Sequence, residues 1–130
     1  MSNIIRRLIP VSRYLLAVWV LLIIVASSVP GISAPKIETG GSTIRLDYII
    51  HFIEYGGLAF LAILSFTPYS LSVSLLRLVY LSSGLVLFAL ADEFHQLLIP
   101  GRTFNPLDIA FNIGGILAGV IITAIIIKRL

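Results

Sequence analysis

Asp92-Glu93-Phe94-His95-Gln96 sets two carboxyls, an imidazole and an amide into five residues near the end of a long apolar run, Leu75 to Ile99. Earlier in that run only Arg77, Ser82 and Ser83 stand out as polar. Ionisable groups at membrane depth are costly, so they face a bundle interior or a wet cavity and mark functional sites. Three other fragments carry similar chemistry: Asp47 to Tyr55, Gly101-Arg102, and Asp108 to Asn112. Carboxylates beside histidine can act as general acids and bases. Carboxylates beside an arginine can instead hold a zwitterionic or amine-bearing ligand. The sequence contains no HExxH, GxSxG or SxxK and no phosphate-binding glycine loop. Asp, Glu and His could ligate a divalent cation, but their spacing matches no standard site. The expectation is therefore no metal and no cofactor.

The elements that position these groups follow from composition. The chain has 130 residues, 58% hydrophobic and 12% charged, with a mean hydropathy of +1.08. Soluble domains carry about a quarter charged residues, so this composition belongs to an integral membrane protein. The absence of cysteine excludes disulfides and thiolate chemistry. The net charge of +3 is explained by basic residues at the ends of spans, and no nucleic-acid partner is expected.

Four spans are expected within one domain covering residues 1–130: about 13–29, 47–66, 71–99 and 106–127. Pro30-Gly31, Thr67-Pro68 and Pro100-Gly101 close the first three, and Pro106 opens the fourth. The first span could be mistaken for a signal peptide, but its length and Trp19 favour a retained helix. An all-α four-helix membrane bundle is the expected fold. Arg6, Arg7, Arg13, Arg77, Lys128 and Arg129 lie on one side of it, and Lys36, Arg45 and Arg102 on the other. Six against three puts both termini in the cytoplasm. Residues 30–46 then form an outer loop.

In this topology every polar fragment falls in the outer half. Asp47, His51, Glu54, Tyr55 and Leu58 make one stripe on the second helix at helical spacing. Asp92, Glu93 and Gln96 share an arc of roughly 100° on the third, with His95 just past its edge. Asp108, Asn112, Gly115 and Gly119 line one face of the fourth. Three polar faces are expected to aim at one another, and Gly115–Gly119 (a GxxxG) to pack tightly against a neighbouring helix. Arg102 is expected to lid the acids as an ion pair. The acids Asp47, Glu54, Asp92, Glu93 and Asp108 outnumber the fixed cations Arg45 and Arg102 by three. Such an excess in low dielectric demands protonation, charged histidines or a recruited cation. His51 alone reads as a structural hydrogen-bonder more than a ligand, and Tyr55 as a packed hydrogen-bond donor.

These fragments resemble a known family. Asp47-Tyr48-Ile49-Ile50-His51-Phe52-Ile53-Glu54-Tyr55 is similar to the second-helix Asp-x-x-x-His-Phe-x-x-Tyr signature of VanZ-like proteins. Asp92-Glu93-Phe94-His95-Gln96, Pro100-Gly101-Arg102, Asp108, Asn112 and Gly115 resemble the rest. Tyr48 departs from the pattern, since many relatives carry lysine there. The resemblance implies a small multi-pass protein of a prokaryotic cell membrane, in a family named for a member associated with teicoplanin resistance. The positions it carries over are Asp47, His51, Tyr55, Asp92, Glu93, Gln96, Arg102, Asp108 and Asn112.

Three functions compete. The first is a non-catalytic cell-envelope protein whose outer pocket binds a lipid headgroup or lipid-linked cell-wall precursor and influences glycopeptide susceptibility. The second is an intramembrane hydrolase or transferase using Glu93 or Asp92 as base with His51 assisting. The third is proton- or cation-coupled transport, which in so short a chain without inverted repeats requires an oligomer. The first is the expected one, with association between copies left open.

Overall fold

The computed structural model describes residues 2–30, 36–39 and 42–129. In chain order it contains α1 (Ser2–Ser28), β1 (Lys36–Thr39), β2 (Ser42–Arg45), α2 (Leu46–Ser65), α3 (Leu75–Gln96) and α4 (Pro106–Lys128). All four helices are long and apolar enough to cross a membrane. The fold is the expected all-α bundle, with one small addition. Within the stretch read as a plain outer loop, β1 and β2 pair antiparallel, Ile37 opposite Ile44 and Glu38 opposite Thr43. Gly40-Gly41 between the two runs is the sequence signal for such a hairpin.

Helix boundaries differ from the sequence reading at two places. Helix α1 begins at Ser2, well before Arg13, and runs through Pro10. Tertiary contacts hold this extra length. Ile9 and Ser12 are buried, Ser65 Oγ donates to Ser12 Oγ at 3.1 Å, and Arg13 Nε donates to the Ser65 carbonyl at 3.3 Å. Helix α3 is shorter than the apolar run. It starts at Leu75 behind the Ser74 cap, whose hydroxyl accepts from Arg77 N at 3.3 Å. It ends at Gln96, and the next residues tighten into three-residue turns: Leu98 N to the His95 carbonyl at 2.9 Å and Ile99 N to the Gln96 carbonyl at 3.0 Å. Gly101 then takes a φ of 81°, a left-handed turn that side chains resist.

Helices α2 and α4 form the most extensive interface, with α1 laid on α2 and α3 on α4. The α2–α4 contact is a backbone approach. A Cβ added to Gly115 would run into the Phe52 carbonyl oxygen, and one added to Gly119 into the Gly56 carbonyl oxygen. Small residues allow this closeness, and dispersion then binds the helices where lipid supplies no hydrophobic drive. On the other side of α2, a Cβ at Gly57 would meet the Trp19 ring at 3.0 Å. Trp19 Nε1 donates to the Glu54 carbonyl at 2.9 Å, so α1 is pinned to α2 at mid-height. Ile23, Tyr55, Leu58, Ala59, Ala89 and Ile116 make the shared core.

Candidate functional site

Four helices and one turn close around a cavity of about 180 Å³. Helix α2 contributes Asp47, His51 and Glu54, spaced four and three residues apart and therefore on one face. Helix α3 contributes Asp92 and Gln96, one turn apart. The α3–α4 turn supplies Arg102, Thr103 and Asn105, and α4 supplies Asp108. The fourth wall is α1, through Ile23, Ala26 and Ser27. The polar faces read from the sequence do meet, and the cavity is where they meet.

Hydrogen bonds fix most of these groups. Tyr55, fully buried, donates its hydroxyl to Asp92 Oδ2 at 3.0 Å. Gln96 Nε2 reaches the same oxygen at 3.5 Å. Asn105 is the hub of the turn. Its backbone N–H donates to Glu93 Oε1 at 2.9 Å, its Nδ2 donates to Asp108 Oδ1 at 3.0 Å, and its Oδ1 caps α4 by accepting from Leu107 N at 3.1 Å. His51 Nε2 lies 3.7 Å from Asp108 Oδ2, an ion pair when the imidazole is protonated.

The hydrogen bonds described for Arg102 go to neutral oxygens. Its Nη2 donates to the Ala26 carbonyl at 2.8 Å and its Nη1 to Gln96 Oε1 at 3.5 Å. The reason lies in α1. The ordinary helical partner of the Ala26 carbonyl would be the N–H of residue 30, which is proline and has none. The guanidinium replaces that donor. Arg102 thus ties the end of α1 to the turn.

Not every expected residue lines the cavity. Tyr55, Glu93 and Asn112 lie outside its wall and are completely buried. Glu93 braces the turn with one oxygen, while Oε2 has no hydrogen-bond partner among the described residues. Both amide atoms of Asn112 are also without one. Conversely, Asn105 and the α1 residues were not singled out as site residues. Asn105 could have been found, because Asn before Pro106 is a helix cap followed by a first-turn proline. Ala26 offers no chemical signal at all. Among the described residues no group of three or more His, Asp or Glu converges to hold a metal ion.

The VanZ/LLP1 family model matches residues 11–127, nearly the whole chain. The protein belongs to the VanZ/LLP1 family. No curated protein and no solved structure matches the chain. Tyr48 stacks on Phe111 with ring centroids 4.8 Å apart and planes 6° from parallel, an aromatic contact between α2 and α4.

Because Glu93 braces Asn105, its two simplest replacements should separate. Glu93→Gln keeps an oxygen that accepts the Asn105 N–H, and the melting temperature in detergent should be close to that of the parent. Glu93→Ala removes the acceptor and should cost about 1–3 kcal/mol, the usual penalty for an orphaned buried group. Equal melting temperatures for the parent and both variants would show that this bond does not hold the turn.

Proposed function

We propose that this VanZ-family protein is a non-catalytic membrane protein of the prokaryotic cell envelope. It binds, in the outer half of the bundle, the zwitterionic or amine-bearing headgroup of a lipid or lipid-linked cell-wall precursor. One observation carries the reading: Asp47, Glu54, Asp92 and Asp108 put four carboxylates around a cavity that Arg102 and His51 also line. A cationic group entering there relieves repulsion among the acids, while the guanidinium offers a counter-ion for a phosphate. Occupancy of a wall precursor would be the route to any effect on glycopeptide susceptibility.

The geometry supports binding over the two alternatives. Glu93, the first candidate base, is outside the cavity wall and bonded to the turn, and Asp92 is held by Tyr55 and Gln96. For transport, a polar route would have to cross the bundle, yet Leu58, Ala59, Ala62 and Ile63 along α2 are buried apolar core.

The topology belongs to the same proposal, with both termini cytoplasmic. Reporter fusions at Thr103 should read outside and those at Ser70 and after Leu130 inside. An external C-terminus would move the cavity to the wrong leaflet for a wall precursor. Binding itself is tested with the full chain in phosphatidylglycerol nanodiscs, titrated with phosphatidylethanolamine. Asp92→Asn and Asp108→Asn, both at buried positions, should each weaken binding at least about tenfold, since a hydrogen bond to a charged group supplies about 1.5–3 kcal/mol. Unchanged affinity in both would remove the acidic cavity from the function.

A further inference from the structure

A second depression lies beside the cavity. Trp19, Leu22, Ile23 and Ala26 of α1 and Ile50, Ile53 and Glu54 of α2 line a groove of about 390 Å³ that is apolar except at one end. Ile23, Ala26, Ile50 and Glu54 belong to both, so the groove and the polar cavity share a wall. The rims Leu22, Ile50 and Ile53 are 55%, 50% and 62% exposed. In a helix pair that spans a bilayer, such side chains face hydrocarbon, and an apolar groove between them is filled by hydrocarbon.

We propose that this α1–α2 groove seats one hydrocarbon chain of a lipid whose ammonium-bearing headgroup enters the acidic cavity sideways, across the wall that groove and cavity share. The inference rests on the headgroup-binding reading and adds the entry path and the ligand's form: an amphiphile taken from the bilayer. Three structural features carry it. The groove lies directly against the cavity, with four lining residues in common. The charge at their junction is the Glu54 carboxylate, which attracts an ammonium and repels an anionic headgroup. The α1 side of the junction is small, since Ala26 presents only a methyl group where a larger residue would thicken the shared wall. Trp19 walls the groove at the level of Glu54, to whose carbonyl its Nε1 donates at 2.9 Å.

The test uses the full chain in phosphatidylglycerol nanodiscs doped with a phosphatidylethanolamine carrying a diazirine in its acyl chain, or with the phosphatidylglycerol of identical chain. After irradiation the labelled residues are mapped by mass spectrometry. The ethanolamine probe should label Leu22, Ile23, Ile50 or Ile53 about fivefold more than the glycerol probe, the upper end of what one partly exposed charge pair supplies. Ala26→Trp, at an exposed position, should abolish that excess, as should Leu22→Trp lower in the groove. Glu54→Gln should bring the two probes to parity. Water-soluble glycerophosphoethanolamine should still bind the Leu22→Trp protein, because Leu22 lines the groove and not the cavity. Labelling spread evenly round the bundle, or an excess that survives both tryptophans, would overturn the entry path while soluble-headgroup binding upheld the cavity. Equal labelling of the groove by both probes in the parent protein would overturn headgroup delivery. Failure of the soluble headgroup to bind the parent would overturn the cavity reading and this inference with it.

Discussion

Replacing Gly115 or Gly119 with alanine should damage this protein more than any other single methyl group added to α4. At each position the new Cβ is directed into a backbone carbonyl of α2, at Phe52 and Gly56 respectively. A carbonyl inside a helix cannot rotate away as a side-chain tip can, so α2 and α4 must separate. Overpacking of this kind costs about 1–3 kcal/mol and sometimes more, and leucine should be worse than alanine. Gly114 supplies the internal control. Its added Cβ would sit 3.6 Å from the Phe52 ring, an ordinary contact, and alanine improves helix propensity by up to about 1 kcal/mol. Thermal melts in detergent should therefore rank Gly114→Ala at or above the parent, with Gly115→Ala and Gly119→Ala far below. Ala118→Leu should fall between them, because Ala118 is only partly buried. Equal tolerance at Gly114, Gly115 and Gly119 would mean that this face of α4 does not meet α2.

That face was legible before any coordinates. Asp108, Asn112, Gly115 and Gly119 recur at helical spacing in an otherwise uniformly apolar segment, and all four are buried. Period and residue size together identify a packed face, because lipid tolerates neither a carboxylate nor a row of bare backbone. The second-helix stripe was equally readable, since only one face of α2 carries charge. The sequence could not divide the polar residues into those that line the cavity and those that lie outside it. Asp92 and Glu93 are adjacent in sequence and alike in chemistry. Only the path of the α3–α4 turn, which brings the Asn105 N–H to Glu93, sets one in the cavity wall and the other outside it. The ends of α1 and α3 were also hidden. An apolar run continues past the last helical residue of α3, while Ser12 and Arg13 extend α1 through contacts with Ser65 that are distant in sequence.

The second large effect is expected at Arg102. Arg102→Met retains length and loses the donors to the Ala26 carbonyl and to Gln96. The carbonyl is then left without a partner, because residue 30 is proline. Losing a hydrogen bond at this exposed position costs about 0.5–1.5 kcal/mol, and the cost falls on the end of α1, which forms one wall of the cavity. Hydrogen exchange should accelerate selectively at residues 24–29, with α2 and α4 unaffected. Arg102→Lys should lie between, since one ammonium cannot span the carbonyl and the amide as the fork of a guanidinium does. Exchange that speeds up uniformly would mean that Arg102 contributes to the stability of the whole bundle and not to the seating of α1. Unchanged exchange would mean that the bond to Ala26 does not form in the membrane.

The central claim is that the acidic cavity holds an ammonium-bearing headgroup. The most direct measurement is a cryo-electron microscopy structure of the full chain in nanodiscs containing phosphatidylethanolamine, with a rigid binding partner to give the small bundle adequate mass, beside the same preparation in phosphatidylglycerol alone. The account predicts non-protein density in the cavity of the first preparation only, in contact with Asp92 and Asp108 and with its phosphate toward Arg102. A cavity that looks the same in both lipids, with the headgroups confined to the bilayer surface, would contradict it.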